Sequence, residues 1–297
     1  MVHAILGATG QLAGELAVLL PGAVSLTRSE ADLTRPDTLR TALERVQPDV
    51  VFNCAAYNFV DRAESEPAAA FAVNAAGVRD LALVCRELAC VLVHFSTDYV
   101  FGLNEARQTP YTEDEAPGPV SVYGTSKLAG EYMVRTLCPK HFIIRTCGLY
   151  GHRGRGGKGD NFVQKMVRLG EEDKTLRVVA DQRCTPSYTA DVAALAVALV
   201  ETGKYGLYHG TNAGDCTWYE FAKEIFSIRS IGASLTPVTT VDFGAVARRP
   251  HYSVLSTAAL QGLGLPTVRP WQEALQEYLE DFVQNSIDAT GGADKLD

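Results

Sequence analysis

The chain has 297 residues, 46% hydrophobic and 21% charged, which allows one large domain or two intimate ones with a substantial core and excludes wholesale disorder. A formal net charge of −8 offers no basic footprint for a nucleic acid polymer or an anionic membrane, although a few local donors suffice to hold an anionic substrate. No apolar run approaches the roughly 18 residues that span a bilayer, and the strand-like start at Met1 carries no leader pattern, so a cytoplasmic protein is expected.

In chain order, residues 2–6 form a short apolar run ending in glycine, and 11–20 follow with helical periodicity. Residues 23–27 read as a second strand, and Pro36–Val46 as a helix with proline in its first turn. A third strand at 49–55, a long helix at 68–88, a fourth strand at 91–96, a helix at 123–137 and a fifth strand at His141–Thr146 complete the first half. Strands alternating with helices imply a parallel sheet covered on both faces. Order weakens at 151–159, where GHRGRGGKG reads as a flexible or ligand-ordered loop. Signals resume at 162–169, Leu176–Val179, 190–200 and Gly206–His209, followed by helices at Trp218–Ile228 and 271–282. The polar tail 285–297 is expected to fray. Cys54, Cys85, Cys90, Cys138, Cys147, Cys184 and Cys216 are odd in number, form no CxxC pair and lie mostly in apolar runs; reduced thiols are expected, without the close Cys/His clustering of a zinc site.

Gly7-Ala8-Thr9-Gly10-Gln11-Leu12-Ala13 sits between the first strand and the first helix. A glycine turn there lets backbone N–H groups approach a pyrophosphate at the positive end of the helix. Arg28 follows the second strand, where the adenosine ribose is commonly read; arginine accommodates a 2′-phosphate, and a solvated surface arginine is the competing reading. Asp32-Leu33 are candidates for the adenine side, and Asn53-Cys54-Ala55-Ala56-Tyr57 close the third strand.

Tyr123-Gly124-Thr125-Ser126-Lys127 is the most informative pentapeptide. Residues four apart share a helix face, so phenol and ammonium can point into one site. A nearby positive charge favours phenolate, and such a tyrosine can donate a proton to a carbonyl oxygen or accept one in reverse. Thr97, within Ser96-Thr97-Asp98 at the end of the fourth strand, supplies the missing hydroxyl.

The strings GATGQLAGEL, DVVFNCAAYNFVDRAESEP, HFSTDYVFG, PYTEDEAPGPVSVYGTSKLAGE and ARRPHYSVL resemble the dTDP-4-dehydrorhamnose reductase family over roughly residues 2–278. The resemblance implies an α/β protein, an extended short-chain dehydrogenase/reductase. A Rossmann-type doubly wound parallel sheet (1–150 and about 179–212) would carry a smaller substrate domain (about 151–178 and 213–284), with 285–297 a flexible tail. It implies reduction of the 4-keto group of a nucleoside-diphosphate-linked deoxy sugar by NADPH or NADH, in a monomer or homodimer. By position, Thr97, Tyr123 and Lys127 resemble the catalytic set. Gly7, Thr9, Gly10, Gln11, Leu12, Asp32, Leu33, Ala55, Ala56, Tyr57 and Asn74 fall on cofactor-side segments, with Arg28, Tyr123 and Lys127 joining them. Thr97, Asp98, Tyr99, Asn161, Phe162, Thr185-Pro186, Trp218 and Arg248-Arg249 fall on the substrate side. Arg249 is attractive as a guanidinium fork for a diphosphate.

Three departures stand out. Cys147-Gly148 follow Thr146 where the family carries serine and tryptophan, so a sugar-facing indole is missing; a bulkier sugar, or the loop around Arg153 and Arg155, is expected to fill the space. The loop at 151–159 is inserted beside the same site. The later string reads Tyr252-Ser253-Val254-Leu255-Ser256, without the usual aspartate. Glu15 matches a position that helps bind magnesium at a dimer interface in some members, which leaves magnesium open on one carboxylate; a solvated helix residue is the alternative. Two other functions stay in view. One is a nucleotide-sugar dehydratase or epimerase, although Tyr99 after Asp98 removes the second carboxylate that dehydratases use. The other is a cofactor-binding regulator resembling the β subunit of methionine adenosyltransferase, which also lacks the tryptophan.

Overall fold

The computed structural model describes residues 1–154, 159–172, 175–265 and 268–291, with side chains as far as 281. Strands β1 (His3–Leu6), β2 (Val24–Leu26), β3 (Val50–Asn53), β4 (Val91–Thr97) and β5 (His141–Thr146) alternate with helices. These are α1 (Gln11–Leu19), α2 (Pro36–Val46), the run α3 (Val60–Ser65), α4 (Pro67–Phe71) and α5 (Val78–Glu87), and α6 (Val122–Leu137). Beyond them come β6 (Leu149–Tyr150), α7 (Phe162–Glu171), β7 (Leu176–Val179), β8 (Arg183–Cys184), β9 (Ser187–Tyr188), α8 (Thr189–Thr202) and β10 (Gly206–His209). The chain finishes with β11 (Cys216–Thr217), α9 (Trp218–Ile228), β12 (Leu235–Val238), α10 (Thr240–Phe243), α11 (Ala258–Gln261) and α12 (Trp271–Gly291).

The central sheet has six strands in the order β2-β1-β3-β4-β5-β10, every pair parallel. Parallel strands need crossovers, and crossovers bury both faces, which is why all four residues of β3, Val-Val-Phe-Asn, are buried. Leu39, Leu43, Leu81 and Val134 fill one face; Leu12, Leu16, Val192 and Leu199 fill the other. A third core, around Tyr150, Val163, Phe221, Ile225 and Tyr278, joins α7, α9 and α12. From β1 the chain winds to β2 on one side and to β3 on the other. The order therefore reverses between β1 and β3, and a doubly wound sheet opens its ligand crevice at the carboxyl ends of the strands where it reverses.

Most expected elements fall within one or two residues of their observed bounds, and several differences are instructive. The helix expected at 68–88 contains a π-helical turn, Ala72–Gly77. Inside it the buried Asn74 side chain accepts from Tyr57 N at 2.9 Å, donates to Tyr57 O at 2.9 Å and donates to Ser126 Oγ at 3.0 Å. The run Pro67–Glu87 is 21 residues long and holds an 18-residue window with a mean hydropathy of 1.5, so one helix does reach membrane-spanning length and apolarity; half of that window is buried within the fold, as expected of a core helix. Helix α12 extends to Gly291, so the segment expected to fray from 285 begins as helix, while 292–297 lie outside the described residues. The two-residue strands were too short to leave a periodicity. All seven cysteines are free thiols and six are buried.

Helices α5 and α6 and the π-helical turn pack closely. A Cβ on Gly130 of α6 would sit 2.2 Å from Asn74 O. Helix propensity alone would favour alanine there by about 1 kcal/mol. The collision with backbone outweighs that, so Gly130→Ala is expected to lower stability by about 1–3 kcal/mol, read as a reduced urea midpoint at unchanged slope.

Candidate active site

A cavity of about 610 Å³ runs along the carboxyl ends of β1, β3, β4 and β5. Its wall holds Gly10, Gln11, Leu12, Ala55, Ala56, Thr97, Asp98, Tyr99, Tyr123 and Lys127, with Asn161, Phe162, Trp218 and Arg249 opposite. The structure thus gathers fourteen of the proposed site residues around one space. Gly7, Thr9, Arg28, Asp32, Leu33, Tyr57, Asn74 and Thr185 do not line it. Arg28 is 80% exposed, with Nε 3.2 Å from Asp32 Oδ2, and the Asp32 carboxylate also accepts from Thr34 N and Oγ1. Leu33 is buried, Tyr57 is tied to Asn74, and Thr185 donates to Gly214 O at 2.7 Å. These residues stand behind or beside the wall. Sequence reasoning missed Val60, Phe95, Thr146, Leu149, Asp160 and Lys165, all of which line it.

The turn after β1 has a clear physical cause. Gly7 has φ +75°, and a Cβ there would lie 2.8 Å from Ala55 N, so only glycine lets the turn pass so close to the end of β3. Gly10 begins α1 with no side-chain cap, and the first turn carries no acidic residue. Its backbone donors are left for an anion, and the bare surface of Gly10 faces the cavity; these residues fit a dinucleotide pyrophosphate. The start of the inserted loop packs here as well. Gly154 has φ +62°, and a Cβ on it would stand 2.5 Å from Thr9 O, while Arg153 Nε reaches Glu15 Oε2 at 3.2 Å. Glu15 is buried and paired with Arg153 rather than a solvated helix residue. Residues 155–158, Arg155 among them, lie outside the described residues.

Helix α6 is fixed at its start by the Ser121 side chain, which accepts from Gly124 N at 3.1 Å, and by Glu64 Oε1, which accepts from Val122 N at 2.9 Å. That sets Tyr123 in the first turn with Lys127 one turn on. The Thr97 hydroxyl lies near enough to the Tyr123 phenol to oppose the rise in its pKa, and Tyr99 stands edge-on to its ring at 5.8 Å. Lys127 Nζ donates to Phe95 O at 2.7 Å. Burial dominates both groups. It pushes the Tyr123 phenol up to about 12 and the Lys127 ammonium down to about 8, with Glu131 opposing the latter. The expected lowering of the phenol by Lys127 is not what this site does: desolvation sets the direction, and Tyr123 stays protonated at neutral pH. Asp98 is buried too, pushed up to about 6 by desolvation, although Ser253 Oγ donates to Oδ2 at 2.5 Å and Thr97 Oγ1 to Oδ1 at 3.2 Å.

On the far wall Arg249 forks onto Asp61, with Nη1 and Nη2 at 3.1 and 2.9 Å from the two oxygens. Tyr99 nearby also supports its charge. Gly148 has φ +52°, and a Cβ there would lie 3.1 Å from the Trp218 indole and 3.3 Å from Pro186 Cα. The space beside Gly148 is thus bounded by Trp218, itself 4.8 Å centroid to centroid from Phe162, while Arg153 turns away to Glu15. Arg153 does not fill it, and an indole arrives from the start of α9; the Arg155 part of that expectation lies outside the described residues.

Residues 1–284 match the model of the RmlD substrate binding domain family. The chain is 43% identical to the dTDP-4-dehydrorhamnose reductase of Streptomyces griseus over 92% of this chain and 91% of that protein. It is 40% identical to the dTDP-4-keto-6-deoxy-D-glucose reductase of Streptomyces niveus, covering 92% and 94%. Among solved structures, the dTDP-4-dehydrorhamnose reductase of Bacillus anthracis in complex with NADP superposes with a TM-score of 0.89 at 38% identity, covering 94% of this chain and 99% of that one.

The raised Asp98 pKa has a measurable consequence. Between pH 3.8 and about 6 the folded carboxyl holds a proton that the unfolded one has lost, so its contribution to stability declines as pH rises through that window. Asp98→Asn is expected to remove this decline. The gap between variant and native urea midpoints should shift in the variant's favour from pH 4 to pH 7; a constant gap would mean that Asp98 is not protonated in the fold.

Proposed function

The chain belongs to the RmlD substrate binding domain family, and on that premise we propose that it reduces the 4-keto group of a dTDP-linked 6-deoxy sugar, with NADPH as reductant. The observation that carries the reading is the meeting of Thr97, a protonated Tyr123 and Lys127 on one buried wall beside the glycine turn. The turn at Gly7–Gly10, with Gln11, Leu12, Ala55 and Ala56, would hold the dinucleotide. When bound, that dinucleotide supplies the hydride.

The substrate carbonyl oxygen is received between the Thr97 hydroxyl and the Tyr123 phenol. Tyr123 donates its proton to that oxygen as negative charge develops on it, and Thr97 steadies the oxygen by hydrogen bonding. Lys127, charged at neutral pH, sits one turn away and offsets the phenolate left behind. Thr97 and Lys127 are buried and Tyr123 is half-buried at the cavity wall, which limits the water that can compete for the proton. We assign the third core, 151–178 with 213–284, to the substrate, through Asn161, Phe162 and Trp218. The regulator reading is disfavoured by the meeting of Thr97, Tyr123 and Lys127 on one accessible cavity.

Gly148 favours a second reading of the sugar. Relatives of similar identity are named for different 4-keto sugars, and the wall next to Gly148 is where the sugar ring would lie. A sugar other than the rhamnose precursor is the expected better substrate, judged by kcat/KM across a panel of dTDP-4-keto sugars. A clear preference for dTDP-4-dehydrorhamnose would contradict it.

Tyr123→Phe keeps the ring but cannot donate, so turnover should drop by about 10²–10⁴ with NADPH affinity nearly unchanged, as read by NADPH oxidation and by titration. Gly10→Val should abolish NADPH binding yet leave a folded protein, because a Cβ at Gly10 meets no atom nearer than Gly7 O at 3.3 Å. Arg28→Ala should weaken NADPH more than NADH; equal losses would remove Arg28 from the 2′-phosphate.

A further inference from the structure

Five charged side chains line the cavity: Asp98, Asp160, Lys127, Lys165 and Arg249. Four of them have engaged partners. Asp98 accepts from Ser253, Lys127 donates to Phe95 O, and Arg249 forks onto Asp61. Asp160, next to Lys165 on the wall, accepts instead from Arg168 Nε at 3.0 Å. Lys165 differs. It lies in the first turn of α7, three residues after Phe162, and no ion pair joins it to a carboxylate among the described residues. An exposed ammonium on a cavity wall whose neighbouring cations are already committed is available to an anion that enters the cavity.

Resting on the nucleotide-sugar reading, we propose that Lys165, rather than Arg249, provides the cation for the substrate diphosphate. A diphosphate brings two negative charges into a half-enclosed space that already holds two carboxylates, and it needs a mobile counter-charge there. Arg249 would have to release Asp61, leaving a carboxylate beside the incoming phosphates, whereas Lys165 has no such ion pair to break among the described residues. The ammonium is a point charge on a flexible stem, suited to phosphate oxygens whose position varies with the sugar. Its companions on the wall, Phe162 and Trp218, offer flat apolar faces to the ring systems on either side of a diphosphate.

The test uses the full-length protein and titrates dTDP, thymidine and NADPH against the native chain, Lys165→Met and Lys165→Arg. Methionine keeps the length of the stem and removes the charge. Lys165→Met should weaken dTDP roughly tenfold, leave thymidine and NADPH within about twofold, and flatten the salt dependence of dTDP binding. Lys165→Arg should recover most of the dTDP affinity. An unchanged dTDP affinity overturns the assignment, as does an equal loss for thymidine, which would mark a packing role. A selective loss of NADPH would place Lys165 on the cofactor phosphates and overturn it as well. A native chain that binds no dTDP would instead defeat the nucleotide-sugar reading on which the assignment rests.

Discussion

The geometry of the site depends on one buried ion pair. Arg145 of β5 forks onto Glu131 of α6, with Nε and Nη2 2.9 and 2.7 Å from the two oxygens, and the side chains are 2% and 1% exposed. Ser96 of β4 donates to the same carboxylate at 2.5 Å. Burying such a pair costs several kcal/mol per ion in desolvation, recovered only when geometry and further hydrogen bonds are good. Here the fork and the Ser96 hydroxyl meet the carboxylate, although Arg145 Nη1 is left without a partner, and the pair ties three elements together. Thr97 adjoins Ser96, Cys147 and Gly148 follow Arg145 by two and three residues, and Lys127 and Tyr123 precede Glu131 by one and two helical turns. Loss of one partner would leave an unpaired buried charge beneath the residues on which the chemistry depends.

The same burial sets protonation states. Tyr123 and Asp98 are pushed up and Lys127 is pushed down, so burial shifts each group toward its neutral form. Glu131 limits the effect on Lys127, since it lies one turn away and its charge supports the ammonium. The site is thereby poised with a protonated phenol and a charged lysine at neutral pH, the combination suited to donating a proton to a ketone rather than abstracting one from an alcohol.

Much of this was legible in the sequence. The 3.6-residue and buried-strand patterns locate the alternating elements, and the glycine turn and Tyr123–Lys127 spacing locate the two ends of the site. What was not legible lies in contacts distant along the chain. Glu131 continues the Tyr123–Lys127 helix face, a signal that could have been read, but its partner Arg145 is hidden in an apolar strand. The Arg249–Asp61 fork joins residues 188 apart. The approach of Trp218 to Gly148 depends on a positive-φ turn meeting the start of a distant helix. Arg28 and Asp32 sit on segments that suit a ribose, yet their orientation along the surface follows from local hydrogen bonds that no pattern reveals.

Direct reduction of a sugar ketone at C4 leaves an isotopic signature. With NADPH deuterated at the transferring position and a dTDP-4-keto-6-deoxy sugar in ordinary water, the product's C4 should carry one deuterium by NMR, with solvent hydrogen appearing only on oxygen. A product with no deuterium at C4, or a sugar altered without net consumption of NADPH, would contradict the account.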